Sequence, residues 1–360
     1  MGRRTASSLA GSGKREAGSL TPMELRPFGS TGLRVSRYGL GTLMLGAWGN
    51  PDHAECIRII HKALDAGINL VDTADVYAGG ESEEIVGAAL AGRRDQVILA
   101  TKFHNPVGTA TGPNQRGNSR RWIHQAVEAS LRRLRTDWLD LYQVHRPDPA
   151  TAIEDTVDAL TDLVRAGKVR YWGTSMFPGG QIVDALWAAD RHHGAPPRSE
   201  QVLYNIFSRN VETDVFPTCR RHGSGVITWS PLSGGWLTGK YTREHPAPAG
   251  TRAARFPQYF DAANEVKLGM MERLTVIAAA AGVSLTHLAL AWCGEHPAVS
   301  TSLLGPRTEA QLDGLLGAAE VTLDTTTLDA IDEVNPPGVL INPHDQDWAN
   351  PDLEAAVRRR

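Results

Sequence analysis

Residues 68–77 read INLVDTADVY. An apolar approach through Ile68, Leu70 and Val71 runs into a carboxylate, Asp72, and a phenol follows at Tyr77. A strand that only builds core has little use for Asp72, because burying an unpaired charge costs far more than one side chain gains. The stretch therefore reads as a strand that ends at a working surface. Asp72 stands at its C-terminal end, and Tyr77 lies on the loop beyond.

The same pattern recurs along the chain. Short apolar runs end in polar or small residues at 38–43 (YGLGTL), 68–74 (INLVDTA), 96–103 (QVILATKF), 138–145 (WLDLYQVH), 169–175 (VRYWGTS), 199–205 (SEQVLYN), 225–230 (GVITWS) and 300–305 (STSLLG). Amphipathic stretches lie between them. In HAECIRIIHKALDAG (53–67), Cys56, Ile57, Ile60 and Leu64 share one stripe at helical spacing. Residues 119–134, 152–167 and 265–282 carry similar patterns. Gly67, Gly167 and Gly223 sit where a left-handed helix stop is needed.

Eight strands alternating with helices allow a closed barrel or an open doubly wound sheet. Polar residues stand at the C-terminal strand ends throughout: Asp72, Lys102, His145, Ser175, Asn205 and Ser230. A barrel keeps its site at that face, whereas an open sheet gathers ligand contacts at one switch point. The prediction is an α/β fold, a (β/α)8 TIM barrel. Ahead of it, residues 23–39 (MELRPFGSTGLRVSRYG) predict a β-hairpin around a Ser-Thr-Gly turn, able to plug the barrel bottom. Irregular segments at 104–119, 231–264 and 336–360 predict long loops at the opposite rim.

Composition sets outer bounds. The 360 residues are 41% hydrophobic and 21% charged with a net charge of −3, which gives no basic excess for nucleic acid. Residues 1–22, rich in Ser, Gly and Arg, lack the apolar centre of a signal peptide and read as a disordered leader before a single domain over 23–360. No apolar run approaches the ~20 residues that span a bilayer. The three cysteines, Cys56, Cys219 and Cys293, are isolated, so neither a disulfide framework nor a zinc site is expected and a reducing cytoplasm fits. The histidines, including His104 and the His192-His193 pair, lack ligand spacing, and no metal is expected. Two nucleotide signals fail. GGWLTGKY (234–241) puts Tyr241 where a P-loop needs Ser or Thr, and GLGTLMLG (39–46) lacks the third glycine of a Rossmann turn.

Neighbouring strand ends would bring Asp72, Lys102 and His145 beneath Tyr77. A phenol with a pKa of ~10 is a poor acid at neutral pH. A lysine ammonium beside it is expected to lower that value, and an aspartate keeps the lysine charged and oriented. With a histidine to hold a carbonyl oxygen, the group becomes a proton donor for a developing alkoxide. At the later strand ends, Ser175 and Gln201 suit a carboxamide and Trp229 a flat ring. The backbone of WSPLSGGWLTGK (229–240) with Lys240, and Arg307 with Thr308 at a helix start, suit phosphates. Together these suggest a nicotinamide dinucleotide.

GLGT, DTADVY, ATKF, DLYQVH, GTSM, QVLYN, TWSPL and GPRTEAQL occur in an order and spacing that resembles the aldo-keto reductase superfamily over residues 23–335. The bacterial members and the potassium-channel β-subunit-like branch look nearest. The resemblance implies a barrel that binds NADPH without a Rossmann fold. It implies a tetrad of Asp72, Tyr77, Lys102 and His145, with Tyr77 as general acid and His145 orienting the carbonyl. It also implies a cofactor site from Gly41, Thr42, Asp72, Ser175, Gln201, Trp229, Ser230, Pro231, Leu232, Gly234, Lys240, Gly305, Arg307, Thr308 and Gln311, with Arg307 on the 2′-phosphate. The sequence departs from the family at Met176, where many members have Asn, and at Gly314 and Leu315, where adenine contacts are usual.

Trp48, Tyr77, His104, His145 and Trp236 are expected to line the substrate opening, and Phe103, Phe177, Tyr259 and Phe260 are further aromatic candidates for its wall. The expected substrate is a small carbonyl compound. Asn105, Asn114, Gln115, Arg116 and Arg209 suit a hydroxylated or phosphate-bearing one, such as a sugar aldehyde or keto-sugar nucleotide. A regulatory protein that uses bound NADPH as a redox sensor is the alternative class. Neither membrane nor nucleic-acid partners are expected, and a homo-oligomer is left open.

Overall fold

The computed structural model describes residues 23–109, 112–245, 251 and 264–346. The expected leader (1–22), the aromatics Tyr259 and Phe260, and the end of the last rim segment (347–360) lie outside the described residues.

Strands β1 (Leu25–Pro27) and β2 (Arg34–Ser36) form the antiparallel hairpin. The barrel strands are β3 (Tyr38–Gly41), β4 (Leu70–Asp72), β5 (Ile98–Phe103), β6 (Leu139–Val144), β7 (Val169–Ser175), β8 (Ser199–Leu203), β9 (Gly225–Trp229) and β10 (Thr301–Leu304). All pair in parallel, and β10 closes the circle between β9 and β3. Helices α1 (His53–Asp65), α2 (Glu81–Ala89), α3 (Arg120–Leu134), α4 (Ile153–Arg165), α5 (Gly179–Arg191) and α6 (Val215–His222) follow β3 to β8 in turn. Helices α7 (Glu265–Ala280) and α8 (Leu285–Glu295) fill the step between β9 and β10. Helices α9 (Glu309–Leu316) and α10 (Thr325–Val334) end the described helical series.

Local chemistry sets the element ends. The side chains of Asp52, Ser119, Ser284, Thr308 and Asp324 each accept a first-turn backbone N–H at the starts of α1, α3, α8, α9 and α10. Gly67, Gly167 and Gly223 follow their helices at φ of 90°, 74° and 68°, a region that glycine enters without steric cost.

Strand alternation divides the core in two. Residues such as Val71, Leu99, Tyr142 and Val144 face the helices and join the main cluster. Leu70, Ala100, Leu141, Ile227 and Leu303 face inward and meet Phe28 and Val35 of the hairpin. The hairpin is thus a plug at the barrel bottom, with Phe28 1% exposed. A Cβ at Gly225 would stand 2.6 Å from the Phe28 ring, so the first residue of β9 must be small for the plug to seat. At the other end, Leu340 pairs with Ser208 and the Ile341 N–H donates to the Phe207 carbonyl at 3.0 Å. The C-terminal segment therefore lies along the loop after β8. Among the described residues no single helix is long and apolar enough to cross a membrane.

Candidate active site

Asp72 closes β4 and is paired with Ala100 of β5, which places Lys102 two residues further along the same inward face. The Lys102 ammonium donates to Asp72 Oδ2 at 2.5 Å, to the Thr73 carbonyl at 2.8 Å and to Tyr77 Oη at 3.2 Å. All three lysine donors are thereby used. The other carboxylate oxygen, Asp72 Oδ1, accepts from Gln143 Nε2 at 3.0 Å and from Gln201 Nε2 at 2.8 Å. The charge buried at the end of β4 is fully partnered, as its burial requires.

Tyr77 is aimed by the turn that follows β4. Its N–H donates to the Ala74 carbonyl at 3.2 Å. Ala78, Gly79 and Gly80 then take φ of 50°, 70° and 103°, which turns the chain sharply into α2. The Tyr77 ring lies with its centroid 5.0 Å from Lys102 Nζ and edge-on to His145 at 6.0 Å and 75°. Trp48, 43% exposed on the loop after β3, stands 6.4 Å from the Tyr77 ring and flanks it on the solvent side. His145 follows β6, and its buried Nδ1 has no hydrogen-bond partner among the described residues.

The electrostatics follow from this packing. Burial alone would push the Lys102 ammonium down, but Asp72 and Tyr77 outweigh it and the pKa lies above the ordinary lysine value. Burial holds His145 well below the usual histidine range, assisted by Lys102, Arg146 and His104, so its imidazole is neutral. Tyr77 corrects an expectation. Burial raises its pKa more than Lys102 lowers it, and the net shift is upward. At neutral pH Tyr77 is thus a protonated phenol, held in place rather than acidified.

The remaining expected residues occupy the same rim in different ways. Thr42, just past Gly41, donates to the Asp72 carbonyl at 3.1 Å and is tied to Ser82 at 2.9 Å. Ser175 Oγ donates to the Gln201 carbonyl at 3.0 Å, and the Met176 N–H donates to that carbonyl at 3.1 Å. The Met176 N–H is therefore engaged within the protein and does not replace the missing Asn. Trp229 ends β9 and is partly open, while Asn205 beside it donates to the Ser230 carbonyl at 3.0 Å.

The loop from Ser230 to Lys240, including Pro231, Leu232 and Gly234, folds tightly on itself. The N–H groups of Ser233, Gly235, Leu237 and Gly239 donate to carbonyls within the loop, and that of Gly234 donates to Ser230 Oγ. These donors, expected to meet a pyrophosphate, are already satisfied in this conformation. Lys240 lies exposed over the Tyr241 ring at 5.1 Å. Past Gly305, Thr308 caps α9 and Gln311 accepts the Arg307 N–H at 2.8 Å. A Cβ at Gly305 or Gly314 would meet nothing within 4 Å.

Three further expectations change. Trp236, expected at the substrate opening, is 1% exposed and packs edge-on to Tyr241 at 5.2 Å with Lys267 Nζ 5.6 Å from its ring. It supports the loop from beneath. Phe103 points outward onto Tyr142 at 4.7 Å, and Phe177 is buried, so neither walls the opening. Arg209 is 5% exposed and pairs with Glu212 at 2.9 Å and Asp332 at 2.6 Å, which makes it a structural clamp.

Four polar residues that the sequence reading did not single out take part. Gln143 lies two residues before His145, and strand alternation could have found it. Glu200, wholly buried, accepts from the Phe177 N–H at 3.0 Å and Thr174 Oγ1 at 2.5 Å, pinning the Met176 turn; burial pushes its carboxyl up to about 8. Asn118 holds His104 at 2.9 Å. Asp75, within the opening motif, has both carboxylate oxygens buried with no side-chain partner among the described residues.

The residue types suit a nicotinamide dinucleotide, with Trp229 partly open, Arg307 half-buried and Lys240 exposed. Ser175 Oγ already donates to the Gln201 carbonyl and Gln201 Nε2 to Asp72, so either group must turn to meet a carboxamide. Among the described residues no group of three or more His, Cys, Asp or Glu is placed to hold a metal ion.

The aldo/keto reductase family model matches residues 37–336. A probable voltage-gated potassium channel subunit beta from Arabidopsis thaliana is 39% identical over 326 residues, covering 87% of this chain and 96% of that protein. Two proteins of Bacillus subtilis (strain 168) are each 37% identical. The uncharacterized oxidoreductase YrpG matches over 87% of this chain and 96% of its own length, and the aldo-keto reductase YhdN over 84% and 91%. The chain spans the barrel that the family model describes, and it belongs to the aldo/keto reductase family.

Proposed function

We propose that this protein reduces an aldehyde or ketone to an alcohol with NADPH, Tyr77 acting as general acid. The observation that carries the reading is the single hydrogen-bonded run from Asp72 through Lys102 to Tyr77 Oη, with a neutral His145 at the edge of the Tyr77 ring. Ser175, Gln201 and Trp229 would hold the nicotinamide end, and Lys240 and Arg307 the phosphates. The bound cofactor would supply the hydride.

The chain's own residues handle the proton. Tyr77 Oη donates it to the carbonyl oxygen as negative charge develops there. The Lys102 ammonium, fixed by Asp72 and buried with it, stabilises the phenolate left behind. His145 would donate a ring N–H to the same oxygen from an uncharged imidazole. Its lack of charge keeps the Lys102 ammonium as the nearest cation to the phenol.

The test is NADPH oxidation by the purified protein with a reactive aromatic aldehyde, followed by absorbance. Sustained turnover supports the reading. NADPH binding without turnover on any aldehyde would favour a second one, a regulatory subunit that senses the redox state of its cofactor. That alternative draws support from the relative named as a potassium channel subunit beta.

A further inference from the structure

His104 lies one residue past β5, where alternation returns the chain to the inward face of Lys102. It adopts φ of 148°, outside the range comfortable for a residue with a Cβ. Such strain persists only where the surroundings impose it. Here the imposition is visible. The Gly117 N–H donates to the His104 carbonyl at 2.7 Å, and His104 Nδ1 meets Asn118 Oδ1 at 2.9 Å.

Asn118 is itself fixed on every side. It is 3% exposed; its N–H donates to Asp148 Oδ2 at 2.9 Å and its carbonyl accepts from Thr156 Oγ1 at 3.1 Å. Its Nδ2 donates to the Arg146 carbonyl at 3.1 Å. A carbonyl only accepts, so the amide cannot be flipped, and Oδ1 is the atom that faces the imidazole. An oxygen acceptor there places the hydrogen on Nδ1. Burial, the largest influence on this ring, lowers its pKa and keeps it neutral. The remaining nitrogen, Nε2, therefore carries a lone pair, and it has no partner among the described residues.

We propose that His104, locked by Asn118 in the Nδ1–H form, is a specificity-determining residue that selects carbonyl substrates bearing a hydrogen-bond donor, a hydroxyl or N–H, near the carbonyl carbon. This deepens the proposed function and rests on it. A neutral Nε2 accepts from a hydroxyl and gives nothing to a methyl group of the same size. Losing one such bond in a desolvated pocket is worth roughly 3- to 10-fold in kcat/KM.

The experiment compares isosteric pairs, 2-hydroxypropanal against 2-methylpropanal and 3-hydroxybutanal against 3-methylbutanal, with NADPH as reductant. The expected result is a preference of about 3- to 10-fold for the hydroxy member of at least one pair. That ratio should collapse toward about 1 in His104→Phe. A preference that survives His104→Phe, or none in the unsubstituted protein, overturns the proposal while leaving the reductase reading intact. Nitrogen-15 spectra of the imidazoles, with His104→Phe as the assignment control, test the tautomer without turnover. A hydrogen on Nε2 of His104 overturns the proposal whatever the kinetics. No reduction of any of the four aldehydes, beside sustained turnover of the aromatic aldehyde, overturns the proposal alone; no turnover of any of the five overturns the reductase reading as well.

Discussion

Lys102 stands two residues beyond Ala100, the register partner of Asp72, and its ammonium reaches back along the inner face of the barrel to meet Asp72 Oδ2 at 2.5 Å. The pair therefore links two adjacent strands at the end where the loops converge. It is also the contact on which the Tyr77 hydroxyl rests, through the 3.2 Å bond from the same nitrogen.

Removing half of that pair should be costly. Asp72→Asn keeps the shape but leaves the Lys102 ammonium buried without a countercharge. Breaking buried pairs in this way typically destabilises by about 3–5 kcal/mol. Thermal unfolding of the variant should show a clearly lowered midpoint, and carbonyl reduction should fall with it. A midpoint equal to that of the unsubstituted protein would mean that the lysine sheds its proton without penalty.

The pH profile of kcat/KM for carbonyl reduction should be flat across neutrality. Tyr77 is pushed above its ordinary 10.0 by burial, so the protonated form is lost only as pH rises past that value. His145 is held well below 6.5 by burial and by Lys102, so no acid limb is expected near 6.5. Lys102→Met removes the stronger of the two cations, Lys102 and Arg146, that lower the phenol, and the alkaline limb should move further up. A limb between pH 7 and 9 in the unsubstituted protein would contradict this ordering.

Asp75 is a buried carboxyl with no side-chain partner among the described residues, and burial, with Glu83 nearby, raises its pKa well above 3.8. A raised folded-state pKa contributes stability that is complete below the unfolded value and is lost as pH rises toward the folded one. Asp75→Asn removes that loss. The difference in unfolding midpoint, variant minus unsubstituted, should grow more positive between pH 5 and pH 8. A flat or falling difference would show that Asp75 is ionised and stabilised after all.

Phe28 plugs the end of the barrel opposite the chemistry. Phe28→Ala opens a cavity among Leu70, Leu141, Ile227 and Leu303 and should cost about 3–5 kcal/mol, read as a lowered denaturation midpoint. Because Phe28 lies at the barrel end opposite Asp72, Lys102 and Tyr77, KM for NADPH should stay unchanged at temperatures where the variant is folded.

The fold was legible because each inward-facing polar residue interrupts an apolar run at its C-terminal end, and eight such runs admit few architectures. Asp72 and Lys102 announced themselves this way. Gln143 did not, since a glutamine inside DLYQVH has no charge to make its burial conspicuous. Asn118 lies in a polar loop, and only the folded contacts with Asp148, Thr156 and Arg146 mark it. Arg209 was misread because a lone loop cation looks exposed, whereas Asp332, which neutralises it, is distant in sequence. Trp236 was misread because positive φ at Ser230, Ser233, Gly234, Gly235 and Gly239 curls the loop and turns the ring inward. The phenol's pKa depended on a balance between burial and a neighbouring charge that residue order does not reveal.

The most direct test of the account is single-turnover NADPH oxidation by Tyr77→Phe beside the unsubstituted protein, with an aromatic aldehyde and with cofactor binding measured separately. Loss of the general acid should slow reduction by roughly 10²–10⁴ while NADPH binding is kept. Reduction by the variant at near the unsubstituted rate would contradict the assignment of Tyr77 as the proton donor.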